Sequence, residues 1–532
     1  MTAMTFLDRS VQLLIHVGYL IGMALTLCFV FVLYLSIANS DGPLRFASYY
    51  GDHMVLQKSP ERAVLWGYGP EGAQVTVSLS GPVPQNTSAV NVTKGIWRVT
   101  LDPVDAGGPY NVTAASEDYE ATLTDVLFGD VWLCGGQSNM YFKTNQIFNA
   151  SEELVLSAKY PHVRTFMVAL NTGETELTDL IHVELPWSVP KANVAEFSAV
   201  CWLFGRHMYD ILKYPIGLVE SCWGGTPVEA WSSSRALEHC GLKPTNTMIQ
   251  SLGPRDNSVL WNAMIHPLLN MTIYGAIWYQ GEANVDYHQD KYNCSFPAMI
   301  DDWRMSFHQG SAYQTAPDFP FGFVQLSTYE KNSTYDGFPN IRWHQTADTG
   351  FVPNPRLKKT FMAVALDLPD QTSPYGSIHP RDKQDVAYRL TLGARAVAYE
   401  EEKVTFLGPF PKHILSAQTY INITYDQKVS VTWSKDIFEV CCSNVTTPCE
   451  ASSLWVPALI QHRGSDSVLL DVTKCPPPSE VAAVRYAWKD WPCDFKACPI
   501  YSSSNILPAP PFIFNRYPSV GNFWKTTEPD LP

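Results

Sequence analysis

The sequence predicts an α/β protein, with a parallel, doubly wound central sheet flanked by an N-terminal and a C-terminal β domain. Three observations lead there. Between Val126 and Tyr399, apolar runs of strand length alternate with stretches of helical period, the pattern of a sheet covered on both faces. Before Val126 the runs are short, alternate in polarity and are divided by Gly and Pro, as in a small β-sandwich. Beyond Thr405 strand-like runs return, and six cysteines crowd into the last hundred residues.

The 532 residues, 46% hydrophobic, exceed one ordinary domain. Four regions follow: a signal peptide or signal anchor over 1–40, a β-sandwich over 41–125, the α/β domain over 126–403, and a cysteine-rich β domain with a proline-rich tail over 404–532. The net charge of −14 excludes nucleic acid as a partner, since phosphate binding needs a basic face. No Cys-x-x-Cys pair with partnering histidines occurs, so no metal is expected and the late cysteines read as disulfides. No phosphate-binding or dinucleotide-binding glycine motif is present either, so no cofactor is expected.

Residues 13–38 are apolar enough to span a bilayer. Ser36-x-Ala38 offers a small-x-small cleavage pattern and favours a cleaved signal, the alternative being a membrane anchor. Nine Asn-x-Ser/Thr sequons, at Asn86, Asn91, Asn111, Asn149, Asn270, Asn293, Asn332, Asn422 and Asn444, accompany this export segment. Together they indicate a secretory-pathway protein carrying N-linked glycans, lysosomal or secreted.

In the central domain, Val126–Leu133 reads as a buried strand ended by Gly135-Gly136, with Ser138 following before a helical stretch around Ile147, Leu154 and Leu156. That geometry lifts a hydroxyl out at the carboxyl end of a sheet, although a serine here also suits a helix cap. Ala199–Phe204, Ile216–Val219, Gly275–Tyr279, Phe321–Leu326 and Phe361–Leu366 read as further buried strands, with helices over Phe204–Leu212 and Phe296–Phe307. Several strands end in polar clusters: Gln137-Ser138-Asn139, Gly224-Gly225-Thr226, Gln280-Gly281-Glu282, and a final loop with Asp367, Asp370 and His379. A parallel sheet delivers such clusters to one edge.

A serine needs a base as it attacks, and histidine suits the role near neutrality. His379 is the candidate base for Ser138. The backbone N–H groups of Ser138 and Gly225 (or Gly224) and the Gln280 amide are candidate oxyanion donors.

The segments Gly-Gly-Gln-Ser-Asn-Met, Trp-Gly-Gly-Thr-Pro-Val-Glu-Ala-Trp, Trp-Tyr-Gln-Gly-Glu-Ala-Asn, Ile341-Arg-Trp-His-Gln345 and Ser377-Ile-His-Pro-Arg-Asp-Lys resemble the sialate O-acetylesterases of the SGNH-hydrolase superfamily. The likeness extends over nearly the whole chain from Phe46. It implies a three-layer SGNH/flavodoxin-like central domain and an esterase that removes O-acetyl groups from sialic acids, with Ser138 as nucleophile and His379 as base. Deacetylation of other sugars and a catalytically idle glycan-binding ectodomain are the alternatives. SGNH enzymes often place the carboxylate in Asp-x-x-His, whereas position 376 is glycine. Asp370 is the triad candidate beside Asp367 and Glu282, and a backbone carbonyl giving a Ser–His dyad stands as the other option. Arg342 and Gln345 are candidate substrate contacts, Arg342 for the sialic acid carboxylate, against a structural salt bridge.

Overall fold

The sheet is built around β1 (Glu120–Gly136), in which every residue from Val126 to Gly136 is buried. The computed structural model describes residues 43–243, 254–417, 419–443, 449, 453–476, 479–504, 506–515 and 523–525. Residues 1–40, expected to direct export, and Asn444 lie outside the described residues. No helix among the described residues is long and apolar enough to cross a membrane.

Beside β1 stand β2 (Val163–Val168), β3 (Val183–Ser188), β4 (Ile216–Cys222), β5 (Gly275–Tyr279), β6 (Phe321–Gln325) and β7 (Thr360–Val364), in the order β3-β2-β4-β1-β5-β6-β7. All neighbours pair in parallel except the edge strand β3, which runs antiparallel to β2. The order reverses at β1, and the crevice beside such a reversal is where open α/β sheets place their sites. Helices cover both faces. On one, Phe204 of α2 (Ala199–Leu212) packs edge-on to Trp132. On the other, Trp303 of α3 (Tyr292–Gly310) meets Trp278.

Three elements differ from the sequence reading. Ala199–Phe204 opens helix α2 rather than forming a strand, with the Ser198 hydroxyl capping the Cys201 N–H at 3.2 Å. All six residues are buried and Cys201 is disulfide-bonded to Cys134 of β1. A fully buried first turn loses the polar face that marks a helix in sequence. Strands β2 and β3 were not foreseen, because their runs Val-Arg-Thr-Phe-Met-Val and Val-Glu-Leu-Pro-Trp-Ser carry polar residues and a proline. β3 takes the proline as an edge strand.

The chain divides into two compact units. The smaller holds Leu65–Thr100, Asn111–Thr122 and the described residues before Ser48. Its strands Gln74–Ser80 and Asn111–Ala115 pair antiparallel, and Gln74–Ser80 alternates exposed and buried positions as a one-faced sheet must. This unit is not the continuous block 41–125, since Ser48–Val64 and Leu101–Tyr110 belong to the larger one.

The larger unit contains both the α/β sheet and the C-terminal β region. There an eight-stranded antiparallel sheet gathers Ile414, Ile423, Val440, Leu470, Val484 and Phe512 into one core. Cys441–Cys449 and Cys442–Cys475 tie its strand Phe438–Ser443 to neighbouring loops, Cys493–Cys498 closes a loop after Tyr486, and Cys240–Cys294 joins Cys134–Cys201 in the α/β part. From Leu507 to Asn515 the chain packs onto the β region: Leu507 and Ala509 are buried and Phe512–Asn515 adds a strand against Glu480–Tyr486.

Candidate active site

At the end of β1, Gly136 adopts φ +140°, and a Cβ there would collide with the Tyr279 backbone of β5. Only glycine lets the chain turn so close to its neighbour. Gln137 follows, fully inside, with its N–H on the Tyr279 carbonyl at 2.9 Å. Its Oε1 accepts from Gly281 and Ala283 at 3.3 and 3.2 Å. The turns after β1 and β5 are thereby fixed together. Ser138 begins the single-turn helix α1 (Ser138–Tyr141), capped by Gln137 without a side-chain bond. Ser138 is therefore not the capping residue, and its hydroxyl has no partner among the described residues. Beyond β4, Gly224 faces it: a Cβ on Gly224 would lie 3.3 Å from Ser138 Cβ. Gly225 sits at φ +73°.

The loop after β7 comes to the same edge. Asn139 Nδ2 donates to the Ile378 carbonyl at 2.9 Å, and the Phe142 ring lies stacked on the His379 imidazole at 6.3 Å. His379 Nδ1 donates to the Tyr375 carbonyl at 2.8 Å. A carbonyl can only accept, so Nδ1 carries the proton and Nε2 keeps its lone pair. Burial pushes the imidazole pKa below its ordinary value, and the Lys383 ammonium pushes it the same way against the Tyr375 bond.

Four expected roles do not match the positions of their side chains. Asp370 makes no hydrogen bond to His379, whose Nδ1 is taken by Tyr375. It grips Arg381 through both oxygens at 2.6 and 2.9 Å and also accepts from the Arg381 N–H. Burial would raise its carboxyl, but the Arg381 contacts outweigh that and hold it below the usual range. Asp367 is likewise spent, on Arg389 at 2.6 and 2.8 Å and on the Tyr501 hydroxyl.

The Gln280 amide is fully buried, donating to Thr226 O and Asn284 Oδ1 and accepting from Tyr292. It has no free donor to aim at an oxyanion. Arg342 is also fully buried, and it is no salt bridge: its donors reach the carbonyls of Leu326, Ser327, Lys489 and Asp490. It ties the C-terminal region to the sheet. Gln345 bonds Leu326 N, Val324 O and Gln280 O. Buried polar groups must be partnered, and these partners are all structural.

Beneath Ser138 and His379 lies a cluster the sequence reading did not assemble. Asn139 Nδ2 also donates to Glu282 Oε1 at 2.6 Å, and Lys383 Nζ donates to Asn139 Oδ1 at 2.7 Å. Asn139 and Lys383 are both fully buried. Among the described residues no group of acidic, histidine and cysteine side chains is arranged to hold a metal ion.

A free hydroxyl on a glycine turn and an imidazole oriented through Nδ1, at the reversal point of a doubly wound sheet, have the layout of a serine hydrolase. Comparison with known proteins narrows the class. Residues 128–373 match the family described as "Carbohydrate esterase, sialic acid-specific acetylesterase", and residues 412–516 the "Sialate O-acetylesterase C-terminal domain". The Mus musculus sialate O-acetylesterase is 50% identical over 515 residues, covering 88% of this chain and 94% of that one. The Homo sapiens protein is 50% identical over 513 residues, covering 92% and 96%. Among solved structures, a carbohydrate acetylesterase from Xanthomonas citri superposes with a TM-score of 0.74 at 27% identity, covering 89% of this chain and all of that one. The chain belongs to the sialate O-acetylesterase family.

Proposed function

We propose that the protein is a serine carboxylesterase that removes O-acetyl groups from sialic acids through an acyl-enzyme. Ser138 Oγ attacks the acetyl carbonyl while His379 Nε2 takes its proton. The N–H groups of Ser138 and Gly225, with Gly224 beside them, receive the oxyanion. His379 then protonates the departing sugar hydroxyl, and water, activated by the same imidazole, releases acetate. The central domain is read as SGNH-type, on the strand order about β1. The site operates as a Ser–His dyad, with the Tyr375 carbonyl in the place of a triad carboxylate. The observation that carries this reading is the Nδ1 bond to Tyr375, which presents Nε2 as the base.

Relatives of half-identical sequence named for sialate O-acetyl esters favour that substrate over other acetylated sugars. Five disulfides and nine sequons support a secretory-pathway location with N-linked glycans.

The dyad makes a specific expectation. Asp370→Asn should lower kcat less than about 10-fold and leave the acidic limb of the pH–rate profile in place. Losing a true triad carboxylate costs ~10⁴-fold. Its main effect should be a looser 370–381 loop, through loss of the Arg381 pair. A drop near that larger figure, with normal melting, would restore Asp370 as a catalytic carboxylate.

A further inference from the structure

Lys383 is a cation sealed inside the protein, four residues past His379, and the mechanism above gives it no task. Its surroundings are unusual for a lysine. Nζ lies 4.8 Å from the centre of the Phe142 ring and 5.3 Å from that of Tyr279, and its one hydrogen bond goes to Asn139 Oδ1 at 2.7 Å. An ammonium only donates, so the amide oxygen of Asn139 must face it. The amide nitrogen is then turned the other way, where two acceptors wait: the Ile378 carbonyl at 2.9 Å and Glu282 Oε1 at 2.6 Å. Asn139 follows the nucleophile in sequence, and Ile378 precedes the base. Lys383 thus locks the orientation of the one amide that joins the two.

We infer that Lys383 is a positioning residue for the esterase reaction: it fixes Asn139 between the Ser138 turn and the His379 loop, and its charge acts on the imidazole.

The groups that face Lys383 come from three elements. Glu282 and Tyr279 stand at the end of β5, Asn139 and Phe142 at α1, and Asp370, Asp382 and His379 on its own loop. Glu282 is half-buried, and its second oxygen is enclosed with no partner among the described residues. Burial raises the Glu282 carboxyl, against its Asn139 bond and the Lys383 charge. Burial pushes Lys383 down to about 7, with Glu282, Asp382 and Asp370 opposing. While Lys383 is protonated, it holds the His379 pKa down. The sign of its removal follows: a neutral residue at 383 lets the imidazole pKa rise, and the acidic limb of activity moves to higher pH. The amide constraint has a separate consequence. A small misplacement of two reacting groups costs up to ~10²-fold in rate, so the loss should fall on kcat and leave KM nearly unchanged.

The inference rests on Ser138 and His379 as nucleophile and base, and the experiment separates the two claims. In the full chain, the His379 imidazole is titrated by NMR, its signal assigned by absence in His379→Ala. Lys383→Met and Lys383→Gln are then compared with the parent, alongside the pH dependence of kcat and KM on an acetyl ester. Lys383→Met should raise the imidazole pKa and lower kcat about 10- to 100-fold. Lys383→Gln keeps a donor without the charge, so it should raise the imidazole pKa while losing less kcat. It also carries the test if the apolar variant does not fold. An unmoved imidazole pKa in a folded variant overturns the claim about charge. Parental kcat in folded Lys383→Met overturns the claim about position. If the parent itself releases no acetate, the esterase reading fails, and the titration still decides whether Lys383 acts on His379.

Discussion

Ser138→Ala is expected to reduce kcat by about 10⁶-fold, the scale seen when a serine hydrolase loses its nucleophile. Oxyanion donors alone cannot recover that loss, because they stabilise an addition that no longer has an attacking group. Stability should change by less than ~0.5 kcal/mol, as for a surface position away from caps and networks. Ser138 is half-buried, its hydroxyl has no partner among the described residues, and the helix cap is Gln137. Steady-state rates and thermal melting of the same preparation check both halves. Residual activity above ~1% with a normal melt would mean another nucleophile.

His379→Ala should be nearly as severe, since removing nucleophile or base from such a unit costs about the same. The parent's pH profile should fall on the acid side as the imidazole gains its proton. That fall should come below the ordinary imidazole range, because burial and Lys383 both hold the His379 pKa down. The variant should lose that limb along with the activity. An unchanged limb in a weakly active variant would assign the titration to another group.

The architecture was largely legible where the sequence pattern reports burial. Strands buried on both faces read as continuous apolar runs: Gly275–Tyr279 is a strand as expected, and the run Phe361–Leu366 overlaps the strand Thr360–Val364. The same rule failed at Ala199–Phe204, because a helix turn buried all round has the same composition. Where the reading depends on residue type and a glycine turn, as at Ser138, Gly224-Gly225 and His379, the structure brings the named residues to one edge of the sheet.

It was not legible where function depends on where a polar side chain points. Gln280, Arg342 and Gln345 lie in motifs that look chemical, yet each is enclosed and occupied by partners within the fold, backbone groups for Arg342 and Gln345 and mainly side chains for Gln280. Sequence does not distinguish a polar group aimed at solvent from one satisfying a buried carbonyl. Asp370 is the carboxylate that a triad would call on, but both of its oxygens are held by Arg381. The Tyr375 carbonyl that orients the imidazole has no signature at all, since every residue carries one. Lys383 did leave a signal: it closes the segment Ser377-Ile-His-Pro-Arg-Asp-Lys, four residues beyond the base. A lysine near a site is usually solvated, and only the fold encloses this one.

The measurement that bears most directly on the central claim is acetate release by the purified protein from O-acetylated sialic acid, with acetylated xylan oligosaccharide and Ser138→Ala run beside it. The account predicts release from the sialic acid ester, little or none from the xylan ester, and none from the variant on either. Release from xylan with none from sialic acid would contradict the substrate assignment. Equal release by parent and variant would contradict the site.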